Sequence, residues 1–267
     1  MSNVRPPAVA GQFYPADAKT LSKQVLSYLA EASEDVHAPP KALIAPHAGY
    51  VYSGLVAAHA YAHILPLKGV VKRVVLLGPC HRVAVQGVAL SSADAFLTPL
   101  GSMPIDHSLD EQLLELPGVH VFDATHANEH SLEVHIPFLQ SILDDFALIP
   151  MVVGAADAVM VANILDAVWG GPETLIVISS DLSHYLDYDS AKALDQQTCS
   201  AIEQLDWQAI GNKQACGRMP VKGLLELAKR KGLEVRTLDL RNSGDTAGTK
   251  KQVVGYGSWG FWEREHS

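Results

Sequence analysis

Apolar positions along this chain come in two textures. Short, nearly unbroken runs at Ala42–Ala45, 71–78, 147–154 and 174–180 are rich in Val, Ile and Leu. Runs of that kind mark strands covered on both faces. Between them, apolar residues recur every three or four positions, as they do on one face of a helix. Asp17 is placed to cap the first such helix, whose Leu21, Val25, Tyr28 and Leu29 share a face. Further helices are predicted from about 53 to 65, over 109–116, 128–143 and 158–169, from about 189 to 205, and from Pro220 to a stop at Gly232. Strands at 233–240 and 253–262 flank a polar loop at 241–250. Pro150 predicts an irregular spot in its strand. Residues 85–105 break the rhythm with short runs punctuated by Gly and Pro, which predicts an antiparallel excursion. The proline-rich stretch 4–15 reads as a tail or a lid, and 36–40 as a loop.

Strands alternating with helices predict an α/β fold, a three-layer α/β/α sandwich around a mixed, mostly parallel sheet. No break in composition divides the 267 residues, so one domain is expected over 1–267, with its core at about 4–262. The content is 48% hydrophobic and 18% charged, and the formal net charge is −9. That balance disfavours nucleic acid or an anionic membrane as the main partner, since both need a basic patch. Lys229, Arg230 and Lys231 form the densest basic group and read as solvated surface. Three cysteines, Cys80, Cys199 and Cys216, do not make a disulfide framework and suit a reducing cytosol. The first residues lack the apolar run of a signal peptide, and no window has the length of a membrane helix. A cytoplasmic protein is expected.

The candidate chemistry lies where three strong strands end. Ala42–Ala45 stops at Pro46 and delivers His47. The run at 71–78 ends in Gly78-Pro79, with His81 close behind. The run at 174–180 leads into Asp181 and His184. In an open α/β sheet the carboxyl ends of the strands form the ligand crevice, so parallel neighbours would bring these four side chains together. Two imidazoles and a carboxylate suit an open non-haem site for Fe(II), Zn or Mn. Cys216 precedes a predicted helix start near Arg218, which favours a thiolate. That thiolate would make a softer His/His/Cys site admitting Cu(I) or Zn as well as Fe. Whether Cys216 or Asp181 is the third ligand stays open. Cys80 should point elsewhere, and Cys199 should be core. In the stretch 129–135, His130 and Glu133 are three apart and share a helical face. Glu133 is therefore expected to orient His130 as a general acid or base, with His135 structural. Three functions fit: a metal-dependent oxidoreductase, a metal-dependent hydrolase with Asp181 or His184 as base, and a non-catalytic module that binds a peptide or protein in the same crevice. In the first, His184 and His130 would move protons and Arg218 would pair with an anionic substrate group.

The motifs PAVAGQFYP, APHAGYVYSG, LLGPCH, EHSLEVHIPFLQ, SSDLSHY, ACGRMP and NSGD…VVGYGSWGF together resemble the Memo family, including its AmmeMemoRadiSam system protein B members. The resemblance runs over about 4–262. It implies a fold like that of the class III extradiol (LigB-like) dioxygenases, which cleave catechols with Fe(II) held by two His and a Glu. It implies a metal pocket of His47, His81 and Cys216, with Asp181 and His184 alongside. A Cys where the dioxygenases have a carboxylate departs from their pattern. A redox activity with iron or copper is implied, Fe(II) first and Cu or Zn as alternatives. The eukaryotic members also act in signalling and bind phosphotyrosine peptides. The prokaryotic members imply AMMECR1-like and radical SAM protein partners.

Overall fold

The computed structural model describes residues 3–32 and 38–264, so the loop expected at 36–40 lies partly outside the described residues. The chain opens with β1 (Val4–Arg5) and α1 (Ala18–Ala32), followed by β2 (Ala42–Ala45), α2 (Tyr50–Ala62) and β3 (Arg73–Pro79). Short elements come next: β4 (Val88–Leu90), β5 (Ala95–Thr98), β6 (Gly101–Pro104), α3 (Asp110–Leu114), β7 (Val119–Val121), α4 (Asp123–Ala127) and α5 (Ile136–Ile142). Alternation then resumes with β8 (Ala147–Val153), α6 (Ala158–Ala167), β9 (Thr174–Ser179), β10 (His184–Leu186) and α7 (Tyr188–Glu203). The chain closes with α8 (Arg218–Lys231), β11 (Glu234–Asn242) and β12 (Val253–Trp262).

The main sheet has the order β10-β12-β2-β9-β3-β8-β4-β7, with β11 paired to β12. Its centre, β2-β9-β3-β8, is parallel, and β12 and β4 join it antiparallel. Successive side chains of a strand face opposite sides. Leu43, Leu76 and Val177 pack with Leu21 of α1, Tyr61 of α2 and Phe138 of α5. Ile44, Leu77 and Ile178 pack with Leu165 of α6, Ile202 of α7 and Leu224 of α8. Both faces are thus covered, which is why the central strands tolerate no polar side, and the layers are α/β/α as the pattern predicts. Gly232 ends α8 in the left-handed region, φ 67, as a C-terminal stop requires.

Three local expectations are corrected. β8 runs through Pro150 without interruption. Its neighbour β4 reaches only Val152 and Val153, so no strand on that side needs an N–H from position 150. The helix expected over 128–143 starts only at Ile136, after a 3-10 turn at Glu133–His135. Pro137 lies in its first turn, where a missing N–H costs nothing. The N-terminal stretch is neither tail nor lid. Arg5 Nη1, Ala8 N, Val9 N and Tyr14 OH all donate to the Glu133 carboxylate, at 2.7, 2.7, 3.0 and 2.5 Å. Glu133 is fully buried, and a buried carboxylate satisfied this completely anchors whatever donates to it. The excursion at 85–105 is antiparallel as expected: β4 runs against β8, and β5 and β6 form a hairpin beside β1.

Candidate metal centre

β9 lies between β2 and β3, so the three strand ends that carry His47, Asp181 and His81 are adjacent. The His47 ring is buried, and His81 sits at the rim with its side chain 28% exposed. Their ring centroids are 5.1 Å apart, and His130 lies 5.5 Å from His47 and 4.7 Å from His81. Cys216 reaches the same place from the loop before α8, with Sγ 3.2 Å from His47 Nε2. His47, His81 and Cys216 each offer one donor atom, all within 4.8 Å of one another.

Hydrogen bonds decide which nitrogens are free. Ser179 Oγ donates its one proton to Ser131 O at 2.6 Å, so it can only accept from His47 Nδ1, also at 2.6 Å. That fixes the proton on Nδ1 and leaves the Nε2 lone pair facing Cys216. The Cys216 S–H is therefore the donor in the contact with His47. His81 Nδ1 donates to Glu129 Oε1 at 2.8 Å, which likewise bares its Nε2. Burial holds His47 neutral, well below the ordinary imidazole range, and the neighbouring His81 and His130 push the same way.

Glu129 is the residue that the spacing argument missed. Burial alone would push its carboxyl up, but donors from His81 and Ser131 hold it down at about 2. Its two oxygens accept from His81 N, His81 Nδ1, His130 N and Ser131 N. Glu133, expected to orient His130, is committed instead to Arg5, Tyr14 and the N-terminal backbone. The expectation assumed a helix through 129–133, and that stretch is not helical. A carboxylate that fixes a ligating imidazole supports metal affinity, and removing it typically costs 10–100-fold. Glu129→Gln should therefore weaken metal binding by about that factor, since its amide N–H₂ would face donors only. A metal-competition titration of the variant against wild type checks this.

His130 is a different kind of neighbour. Its ring packs on Phe13 at 4.8 Å, and burial lowers its pKa to about 4. Nδ1 stands 3.4 Å from Glu129 Oε1 but makes no hydrogen bond among the described residues. His135 is structural as expected, with Nδ1 2.8 Å from the Tyr61 hydroxyl. Cys80 Sγ turns away to Val83 O, and Cys199 is buried among core residues.

Asp181 is buried behind His47, whose backbone N donates to its Oδ1 at 2.7 Å. Burial pushes its carboxyl up to about 6, against the pull of that N–H and of His184 and His81. It does not share the three-donor cluster, so the geometry groups Cys216 rather than Asp181 with the two imidazoles. The thiolate expected at Cys216 is corrected. Burial and the Asp181 charge push the thiol up, outweighing the start of α8. Gly217 permits this close approach, because a Cβ there would lie 2.4 Å from Ser179 O.

His184 is exposed, and its Nδ1 lies 2.8 Å from Leu182 O, which leaves Nε2 free. The next residue, Tyr185, is left-handed at φ 58 where the β10–β12 register shifts. A bulky residue in that region is strained, and such strain gathers at functional sites. His184, Cys216 and Arg218 line one pocket of about 220 Å³. All seven candidate side chains (His47, His81, His130, Asp181, His184, Cys216 and Arg218) thus gather at one end of the sheet, with His184 and Arg218 on the outer side.

Comparison with known proteins identifies the family. A family model described as Memo-like protein matches residues 5–259. A MEMO1 family protein of Aquifex aeolicus is 38% identical over 267 residues, spanning 95% of this chain and 97% of the relative. One from Sulfolobus acidocaldarius is 34% identical over 277 residues, with the same two coverages. A crystal structure of an uncharacterized Escherichia coli K12 protein aligns with TM-score 0.50 at 12% identity, covering 80% of this chain and 98% of that one, a likeness of fold alone. No helix among the described residues is long and apolar enough to cross a membrane. The chain belongs to the Memo family.

Proposed function

We propose that this protein is a metal-dependent oxidoreductase related to the extradiol dioxygenases, with one ion held by His47, His81 and Cys216. The observation that carries the reading is the donor set. Two imidazoles have their Nδ1 protons committed elsewhere and their Nε2 lone pairs bared, and a sulfur completes the group within 4.8 Å. Ligands at 2.0–2.3 Å from one ion lie within about 4.5 Å of each other, so only a small contraction is needed. The set suits Fe(II) first, with Cu or Zn as alternatives. A redox ion would supply electron transfer to a bound oxidant, whereas zinc would acidify a water.

The chain's own residues supply the rest. His130, His184 and Asp181 surround the donors and are suited to move protons. Asp181, poised at about 6, can hold or release a proton near neutrality. That same feature favours the second reading, a hydrolase in which Asp181 is the base. Arg218 would receive an anionic substrate group. AMMECR1-like and radical SAM proteins are the proposed partners.

Metal analysis of anaerobically purified protein, followed by an oxygen-uptake screen over small aromatic and aliphatic acids, tests the reading. Stoichiometric iron or copper with metal-dependent oxygen uptake is the expected result. Stoichiometric zinc with hydrolysis and no oxygen uptake would move the assignment to the hydrolase. Failure to bind any of these ions would overturn both and leave a partner-binding crevice.

A further inference from the structure

We infer that the 220 Å³ pocket on the outer side of Cys216 is a subsite for an oxyanion head group, carboxylate or phosphate, gripped by Arg218 and Lys213. The inference deepens the reading above. It rests on that reading only for what happens to the rest of the bound molecule.

The lining carries the argument. Its polar side chains are His184, Asn212, Lys213, Cys216 and Arg218, and no carboxylate lines it. Yet the chain has 29 acidic residues against 20 Lys and Arg. A lining with two cations and no carboxylate, in a protein of net charge −9, draws anions toward one mouth. Arg5, Arg73, Arg230 and Arg241 each pair with a carboxylate. Arg218 and Lys213 have neither an ion pair nor a side-chain hydrogen bond among the described residues. One turn further along α8, Lys222 adds like charge to Arg218, with no acid between them.

The backbone that carries these cations is anchored on both sides of Cys216. Gln214, between Lys213 and Cys216, is buried. Its Oε1 accepts from Gly211 N at 2.5 Å, and its Nε2 donates to Thr198 Oγ1 at 3.0 Å. Gly217 N donates to Ser180 Oγ at 3.0 Å. Arg218 then opens α8, whose N-cap Gly217 offers no side-chain cap. The first N–H groups of the helix therefore reinforce the positive sign at the pocket without defining it. The guanidinium presents a planar fork to two oxygens, and the ammonium adds a point charge. Cys216 belongs both to this wall and to the donor group, so the pocket lies next to the proposed ion's site.

The test uses the full chain, both metal-free and zinc-loaded. Inorganic phosphate and acetate are titrated separately and followed by backbone amide NMR shifts. Saturable shifts at Ala215, Cys216 and Arg218 are expected with at least one probe in the metal-free protein. Phosphate alone would assign a phosphoryl group, acetate alone a carboxylate, and both a general oxyanion site. Arg218→Gln should raise the Kd at least about tenfold and Lys213→Gln about threefold. Arg218→Lys should fall between wild type and Arg218→Gln, and the distant exposed Lys19→Gln should change nothing. No saturable shift with either anion would overturn the proposal. So would binding that needs zinc and ignores Arg218→Gln, because the anion would then sit on the ion. Zinc uptake measured in the same samples separates the two readings. Uptake without anion binding removes only the subsite, and anion binding without uptake removes only the metal assignment.

Discussion

Replacing His81 by Ala should weaken metal binding about a thousandfold, roughly 4 kcal/mol, while costing the fold less than the same change at His47. The asymmetry with His47 is what makes this the sharper of the two histidine tests. From sequence, both histidines sit just outside their strands, and neither is expected to matter for packing. The structure separates them. His81 is at the rim, and its loss leaves Glu129 still accepting from three backbone N–H groups. His47 is only 2% exposed and supplies the proton that Ser179 accepts. His47→Ala should therefore lose the metal and also cost roughly 2–4 kcal/mol of stability, from the cavity and the lost hydrogen bond to Ser179. Urea unfolding of both metal-free variants, set beside zinc competition titrations, checks the pair. Wild-type metal affinity in His81→Ala would remove it from the donor set.

The sheet and the gathering of strand ends were legible because their causes are local. Each strong apolar run is buried on both faces, and each ends at a Pro, Gly or Ser that hands the chain to a His or an Asp. That β9 inserts between β2 and β3 is not written in any one segment, but the three similar endings implied adjacency. The role of Glu129 was hidden for a physical reason. Residues 129–133 sit before a proline-started helix and take their shape from tertiary hydrogen bonds, so helical spacing says nothing about which groups meet there. Glu133 looked like the partner of His130 because Arg5 and Tyr14, which claim it, lie about 120 residues away in sequence. The state of Cys216 failed in a related way. The helix start beside it is visible in ACGRMP, but what outweighs it is burial in the folded chain and the charge of Asp181, 35 residues away in sequence.

Cys216 gives the second large effect, and its sign follows from where its proton sits. The thiol is pushed up by burial and by Asp181, and the acceptors for its proton are His47 Nε2, 3.2 Å away, and Asp181 O, 3.6 Å away. In the metal-free protein that proton occupies the space between two donors. An ion that takes both must displace it. Below the thiol's raised pKa, each ion bound releases one proton, so apparent affinity should rise about tenfold per pH unit from 6 to 8. His47 adds nothing to this slope, because burial already keeps it neutral across the range. Asp181, at about 6, changes charge only at the acid end and steepens the slope there. Cys216→Ser should flatten the dependence and weaken Cu(I) and Zn far more than Mn, since a hydroxyl is a harder and poorer ligand. Cys216→Asp should keep a charged ligand at that position, shift preference toward Fe(II), and lose the slope once pH exceeds the raised pKa of the new carboxyl. Anaerobic titrations of Cu(I), Zn and Fe(II) at pH 6, 7 and 8, with proton release measured in weakly buffered solution, read every one of these outcomes. Equal affinities and equal proton release in wild type and Cys216→Ser would take the sulfur out of the site and leave Asp181 as the remaining third ligand.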